Sequence, residues 1–119
     1  MTNIYDYAYS LDGVIRNSDE YQQLKQCYEE LEKNETEKKM YDQFRNMQLT
    51  LQQKQMKGEK ISEEEIQITQ KQQELVQQSK VVSNVVIAEQ QMGEIINNVN
   101  GIITSSLEEL YNPSEEKVN

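Results

Sequence analysis

Apolar residues recur at helical spacing along most of the chain. The longest stripe, Val85, Ala88, Met92, Ile95, Val99 and Ile102, advances in steps of three and four, and Val82, Val86, Ile96 and Ile103 widen it on one side. This is the period of a helix with a broad buried face. It predicts a helix over 81–111, about 46 Å long at a rise of about 1.5 Å per residue, longer than a small domain is wide. The remaining segments are rich in Gln and Glu and carry narrow apolar seams, so they read as helices laid on this one.

The segments that precede it follow the same logic. Thr2 or Asn3 can cap a first short helix, with Ile4, Ala8, Leu11 and Ile15 on one face, ending near Arg16 and Asn17. Tyr5, Tyr7 and Tyr9 among them are expected half-buried at the rim of a bundle. Ser18 caps a second helix with Asp19 and Glu20 in its first turn, where the helix dipole favours acids. Tyr21, Leu24, Tyr28 and Leu31 form its seam, and Cys27 beside them is expected as a buried thiol.

Asn34 with Glu37 has the spacing of a capping box. A third helix follows to about Lys57, with Met40, Phe44, Met47 and Leu51 as its seam and Gly58 as its C-cap. Ser62 with Glu65 makes a second capping box. The short connection between Gly58 and Ile61 predicts an antiparallel hairpin. In the fourth helix Ile61, Ile68, Leu75 and Val82 recur every seven residues, with Glu65 and Gln72 as polar members of the seam. A break near Gln78 and Ser79 leads into the long helix, which Asn112 and Pro113 end. The prediction is an all-α, elongated bundle of about five helices with a long C-terminal helix and an antiparallel hairpin in the middle. It forms a single helical domain, 1–113, with 114–119 as a frayed acidic tail.

Composition narrows the role. Hydrophobic residues are 35% of 119, Gln occurs sixteen times, and there is one Pro, four Gly and no Trp or His. Straight-chain residues with few breakers favour helix. So little apolar material buries a thin core, which predicts that burial is completed in a homodimer or higher homo-oligomer. The net charge of −9 opposes direct nucleic-acid binding, and the densest basic pair, Lys38 and Lys39, is flanked by Glu35 and Glu37. No N-terminal basic segment leads an apolar run, and the apolar window at 81–103 is interrupted by Glu89 and Glu94, which excludes membrane insertion of this stretch. Together with a single cysteine, these features predict a cytoplasmic protein.

Chemistry is scarce. Without His, and with Cys27 alone, nucleophile–base pairs and Glu-x-x-His metal sites have no residues to form from. The runs Glu29–Glu30, Glu63–Glu65 and Glu108–Glu109 point about 100° apart per residue on a helix and do not converge. The four glycines are dispersed, so no phosphate loop is present. The expectation is no enzyme, no catalytic residue, no cofactor and no metal site. Two features invite another reading. Arg45, Gln48, Gln52 and Gln55 recur at helical spacing beside the third helix's apolar seam, a polar stripe that suits hydrogen bonding to a partner or simply a solvated face. Met40, Met47, Met56 and Met92 suit an adaptable binding surface or gap-filling in a thin core.

Several runs resemble a small bacterial helical family that contains YlbF, YmcA and YheA, and within it the YheA branch. They are Ile4-Tyr5-Asp6-x-Ala8, Glu20-Tyr21-x-x-Leu24-Lys25, the long stretch from Phe44 and Arg45 through Gln48 and Gln52-Gln53-Lys54-Gln55-Met56 to Gly58-Glu59, Ala88-Glu89-Gln90, and Leu107-Glu108-Glu109-Leu110-Tyr111. Ser106 departs from the family pattern, which usually has Pro there, so the last helix is expected to run on without a kink. The resemblance implies an all-helical, elongated, self-associating protein of Gram-positive cytoplasm. It also implies kinship with regulators that act in a complex on RNA processing, and through it on competence, sporulation and biofilm formation. That complex carries iron–sulfur clusters; Cys27 alone cannot supply a cluster's ligand set. The resemblance implies no established activity for the YheA branch itself.

The combined reading is a non-enzymatic helical protein-interaction module, a regulatory adaptor, with an unidentified protein partner. Its interaction residues are Phe44, Arg45, Gln48, Gln52, Gln55 and Met56. A chaperone-like helical clamp and a carboxylate-only metal protein are the alternative classes.

Overall fold

The computed structural model describes residues 3–112. They form five helices: α1 (Ile4–Arg16), α2 (Asp19–Glu32), α3 (Glu35–Met56), α4 (Glu63–Gln78) and α5 (Lys80–Tyr111). Ser18 and Ser62 cap as the sequence marks, Asn3 rather than Thr2 caps α1, and Ser79, read from sequence only as a break, caps α5. Asn3, Ser18, Ser62 and Ser79 each accept a backbone N–H in the first turn of their helix, and Ser62 with Glu65 closes a full capping box. Asn34 makes no such bond. Its side-chain amide donates instead to the Glu30 carbonyl at 2.9 Å, and the Glu37 carboxylate accepts from the Ser79 hydroxyl. The expected capping box is thus replaced by two ties, one back to α2 and one across to the start of α5. Gly58 has φ +73°, the left-handed conformation that ends α3 without a Cβ clash.

α5 is the spine. α2 lies antiparallel on its first half: Cys27 meets Asn84 and Tyr28 meets Glu89, while Asp19 and Glu20 lie beside Glu94 and Ile95. α3 and α4 form the expected antiparallel hairpin, which returns the chain to α5. Their far ends are tied by Lys54 and Glu65, and their near ends meet in the core through Phe44 and Val76. The core joins Leu31, Phe44, Val76, Val82 and Val85, with Cys27, Met40, Tyr41, Val81 and Val86 packed around it. Val82 and Val85 are fully buried, which stabilises by about 2 kcal/mol per side chain. The radius of gyration of 19.0 Å compares with about 13–14 Å for a compact chain of this length.

Three expectations are corrected. The apolar stripe of α5 is buried only over its first half: Val82, Val85, Ala88 and Met92 are inside, whereas Ile102 and Ile103 are 73% and 61% exposed. The reason is that α2 ends opposite Ile95 and no other helix takes its place. Tyr5, Tyr7 and Tyr9 are exposed rather than half-buried, because α1 packs on α2 alone among the described residues. In α4 the seven-residue row is not the buried one. Ile68 and Leu75 are about two-fifths exposed, and the contacting row is Glu65, Thr69, Gln72 and Val76. The Lys54–Glu65 tie and the Val76 anchor turn the helix toward that row. The acidic tail lies outside the described residues.

Candidate interaction surface

α3 presents two faces. Phe44 is 7% exposed and belongs to the core. Its ring is therefore a structural anchor, not a side chain offered to a partner, which corrects the expectation for this residue. Arg45, Gln48, Gln52 and Gln55 lie on the adjacent face and are exposed, and Met56 closes the row at 82% exposure. The stripe is continuous for about three turns because steps of three, four and three follow the 3.6-residue period.

A carboxylate from α5 holds the near end of this stripe. Glu89 Oε2 accepts from the Tyr28 hydroxyl at 2.5 Å, the Tyr41 hydroxyl at 2.5 Å and Arg45 Nη1 at 3.1 Å. Three helices thus converge on one oxygen. The two tyrosine rings meet edge to face with centroids 6.5 Å apart. Burial, followed by the neighbouring Glu89 charge, raises the Tyr28 hydroxyl pKa far above its ordinary value, and the Tyr41 hydroxyl is raised for the same reasons. Both phenols therefore stay protonated and donate. The Arg45 side chain is 53% exposed, so its guanidinium is anchored at one end and retains donors toward solvent.

The far end is held by a second acid. Glu65 Oε1 accepts from Lys54 Nζ at 2.7 Å and from the Ser62 backbone N–H at 3.0 Å. Lys54 is the larger cause, with the Ser62 backbone and hydroxyl behind it, and together they hold the Glu65 carboxyl down to about 2. Between the two ties the Gln side chains make no protein hydrogen bond among the described residues. The arrangement is a helix tied near both ends with a row of free amides between, suited to hydrogen-bonding a second backbone or helix.

The family model described as control of competence regulator ComK, YlbF/YmcA, matches residues 4–108. The chain belongs to the YlbF/YmcA family. A UPF0342 protein of Alkalihalophilus pseudofirmus is 50% identical over 115 residues, covering 97% of this chain and 98% of that one. The UPF0342 protein YheA of Bacillus subtilis is 46% identical over 113 residues, covering 95% and 97%. Two solved structures share the fold. A DUF964 protein from Bacillus stearothermophilus superposes with a TM-score of 0.77 at 38% identity, over 91% of this chain and 95% of that one. The B. subtilis yheA structure superposes with a TM-score of 0.67 at 36% identity, over 92% and 100%.

Within this YlbF/YmcA-family chain, the stripe, Glu89 and both tyrosines all fall inside the matched region. Pattern reading singled out the stripe but missed its anchor. A signal was present: Val82, Glu89, Ile96, Ile103 and Leu110 recur every seven residues, and Glu89 is the one acid in an otherwise apolar row. An acid in such a row needs partners, and Tyr28, Tyr41 and Arg45 supply them. Cys27 is half-buried; its thiol donates to the Asn84 carbonyl at 3.7 Å, and burial raises its pKa. It borders an open cleft of about 400 Å³ shared with Gln23, Gln26, Glu30, Val81 and Ile87. Among the described residues no group of three His, Cys, Asp or Glu side chains is placed to hold a metal ion, and no helix is long and apolar enough to cross a membrane.

Proposed function

We propose that this protein is a non-enzymatic, cytoplasmic regulatory adaptor that recognises another protein through the α3 stripe, with Arg45, Gln48, Gln52 and Gln55 as the contact row and Met56 at its end. The observation that carries the reading is the stripe's combination of exposure and fixation. Its glutamine side chains make no hydrogen bond among the described residues, while Glu89, through Arg45, and Glu65 pin the helix at either end. A pre-organised helix loses little entropy on binding, and neutral amides cost less to desolvate than charges. The family's description as a control of a competence regulator supports a regulatory rather than a catalytic role.

The test is capture from the native host at native expression level, comparing the wild-type chain with an Arg45→Ala/Gln52→Ala double variant. The expected result is one stoichiometric partner, lost from the double variant while helicity is retained and stability falls by no more than about 1 kcal/mol. Recruitment of RNA-decay or competence proteins would place the chain with its better-characterised kin. Equal capture by both chains, or no protein beyond the chain itself, rejects the stripe as a partner surface.

A further inference from the structure

The flank of α2 that faces away from Tyr28 forms a trough with α5. Gln26 and Glu30 stand two residues either side of Tyr28, so they project about 160° from it, away from Glu89 and the α3 stripe. On that side two open clefts stand end to end and share Gln23. The first, of about 400 Å³, has Cys27, Val81, Asn84 and Ile87 along it. The second, of about 420 Å³, runs on to Gln91, Glu94 and Ile95. From Val81 to Ile95 the trough is about 21 Å long at about 1.5 Å per residue. Ile87 is 49% exposed, so apolar surface lies bare within it.

The charge of the trough is one-sided. Asp19, Glu20 and Glu94 line one end and Glu30 the other, and no Lys or Arg lines either cleft. None of these four acids takes part in an ion pair among the described residues. Nor do they converge: among the described residues no group of three is placed to hold a metal ion. Charge spread along an apolar trough is answered by a row of bases rather than by a single cation.

We propose that the α2–α5 trough binds a basic amphipathic helix of a different protein. The length of the trough takes about 14 residues of helix. The apolar face of that helix lies on Val81, Ile87 and Ile95, and its Lys and Arg side chains lie beside Asp19, Glu20, Glu30 and Glu94. Apolar anchors supply most of the affinity in such a helix-in-groove contact, and the flanking charges fix its orientation. Three acids at one end against one at the other set the direction: the more basic end lies beside the start of α2. A second copy of this chain fits poorly, because each copy carries −9. The trough and the α3 stripe use different residues, so either reading can fail alone. A chain occupied at both would join two proteins.

The probe is a labelled synthetic helix of about 14 residues, with Leu on one face and Lys on both flanks of that face, titrated with the full chain and followed by fluorescence anisotropy. Binding should weaken about tenfold between about 50 mM and about 500 mM salt. Glu20→Gln/Glu94→Gln, one acid from each wall, should weaken it about tenfold at unchanged helicity, and Ile87→Gln about as much. Glu108→Gln/Glu109→Gln, the same change of charge at the exposed end of α5, should leave it within about twofold, and so should Arg45→Ala/Gln52→Ala. Cys27 is the only cysteine and lies in the trough, so saturating peptide should slow its reaction with a maleimide about fivefold. No binding overturns the proposal. Equal losses in the two Glu→Gln pairs would reduce the attraction to net charge and overturn it, as would equal binding of a peptide with Glu in place of Lys. A Cys27 that stays as reactive in the complex places the peptide elsewhere. A fall in sedimentation mass on Ile87→Gln would make the trough a contact between copies of this chain, and would overturn the proposal equally.

Discussion

Arg45 Nη1 lies 3.1 Å from Glu89 Oε2, joining the exposed face of α3 to the spine of the fold across 44 positions of sequence. The pair is unequal. The Glu89 side chain is 20% exposed and also receives two tyrosine hydroxyls, whereas the Arg45 side chain is 53% exposed. Removing the two partners should therefore have different consequences. Arg45→Ala should cost no more than about 1 kcal/mol of stability, the range of an exposed ion pair. Glu89→Ala should cost about 2–3 kcal/mol, because Tyr28 and Tyr41 lose a charged acceptor at a site half withdrawn from water. Urea denaturation of the two variants measures the difference. A Glu89→Ala/Tyr41→Phe double-mutant cycle should show coupling of about 1 kcal/mol.

The alkaline limb follows from the same carboxylate. Burial and Glu89 raise the Tyr28 hydroxyl pKa in the folded state. A raised folded-state pKa contributes stability that is fully present below the unfolded value, about 10, and is lost as pH rises above it. Tyr28→Phe should therefore lower stability at neutral pH, where it removes the hydrogen bond, and flatten the fall in stability above pH about 10. Ultraviolet titration of phenolate should lose its latest component in this variant.

The acid limb belongs to Glu65. Its carboxyl is held at about 2, against an ordinary value of 4.5, chiefly by Lys54 and then by Ser62. A depressed folded-state pKa contributes stability that is present above the unfolded value and is lost as pH falls toward the folded one. The window is thus pH 4.5 down to about 2. Glu65→Gln should remove the dependence in that window while leaving the α5 core intact. Circular dichroism melts at stepped pH would test this. A wild-type slope persisting in Glu65→Gln would place the acid sensitivity elsewhere.

The helices, most of their caps and the hairpin were legible because local rules set them: helical periods, Ser caps and a Gly with positive φ at the end of α3. The misreadings share one origin. Periodicity shows which residues could face a core; it does not show how far the covering helix extends. Ile102 and Ile103 have the same spacing as Val82 and Val85, yet α2 stops opposite Ile95. Asn34 has the right neighbour in Glu37 for a capping box, but the Ser79 hydroxyl, 42 positions away, engages that acid instead. Phe44 belonged to an apolar seam and to the stripe's motif at once, and only packing decided between them. In α4, period alone favoured Ile68 and Leu75, whereas the tertiary ties selected the row one residue further on.

That displaced row leaves a polar group in an awkward place. Gln72 faces the seam between α3 and α4, and its Oε1 is buried without a hydrogen-bond partner among the described residues. A buried carbonyl oxygen that loses water and gains nothing destabilises by about 1–3 kcal/mol. Gln72→Leu removes the orphan and favours helix at least as well. It should therefore raise stability by about 1 kcal/mol, visible as a higher urea midpoint at unchanged slope. Gln70→Leu, on the exposed side of the same helix, is the control and should change stability by less than about 0.5 kcal/mol. If Gln72→Leu destabilises instead, its amide has a partner in solution, and a water or a second chain reaching the α3–α4 seam becomes the explanation to pursue.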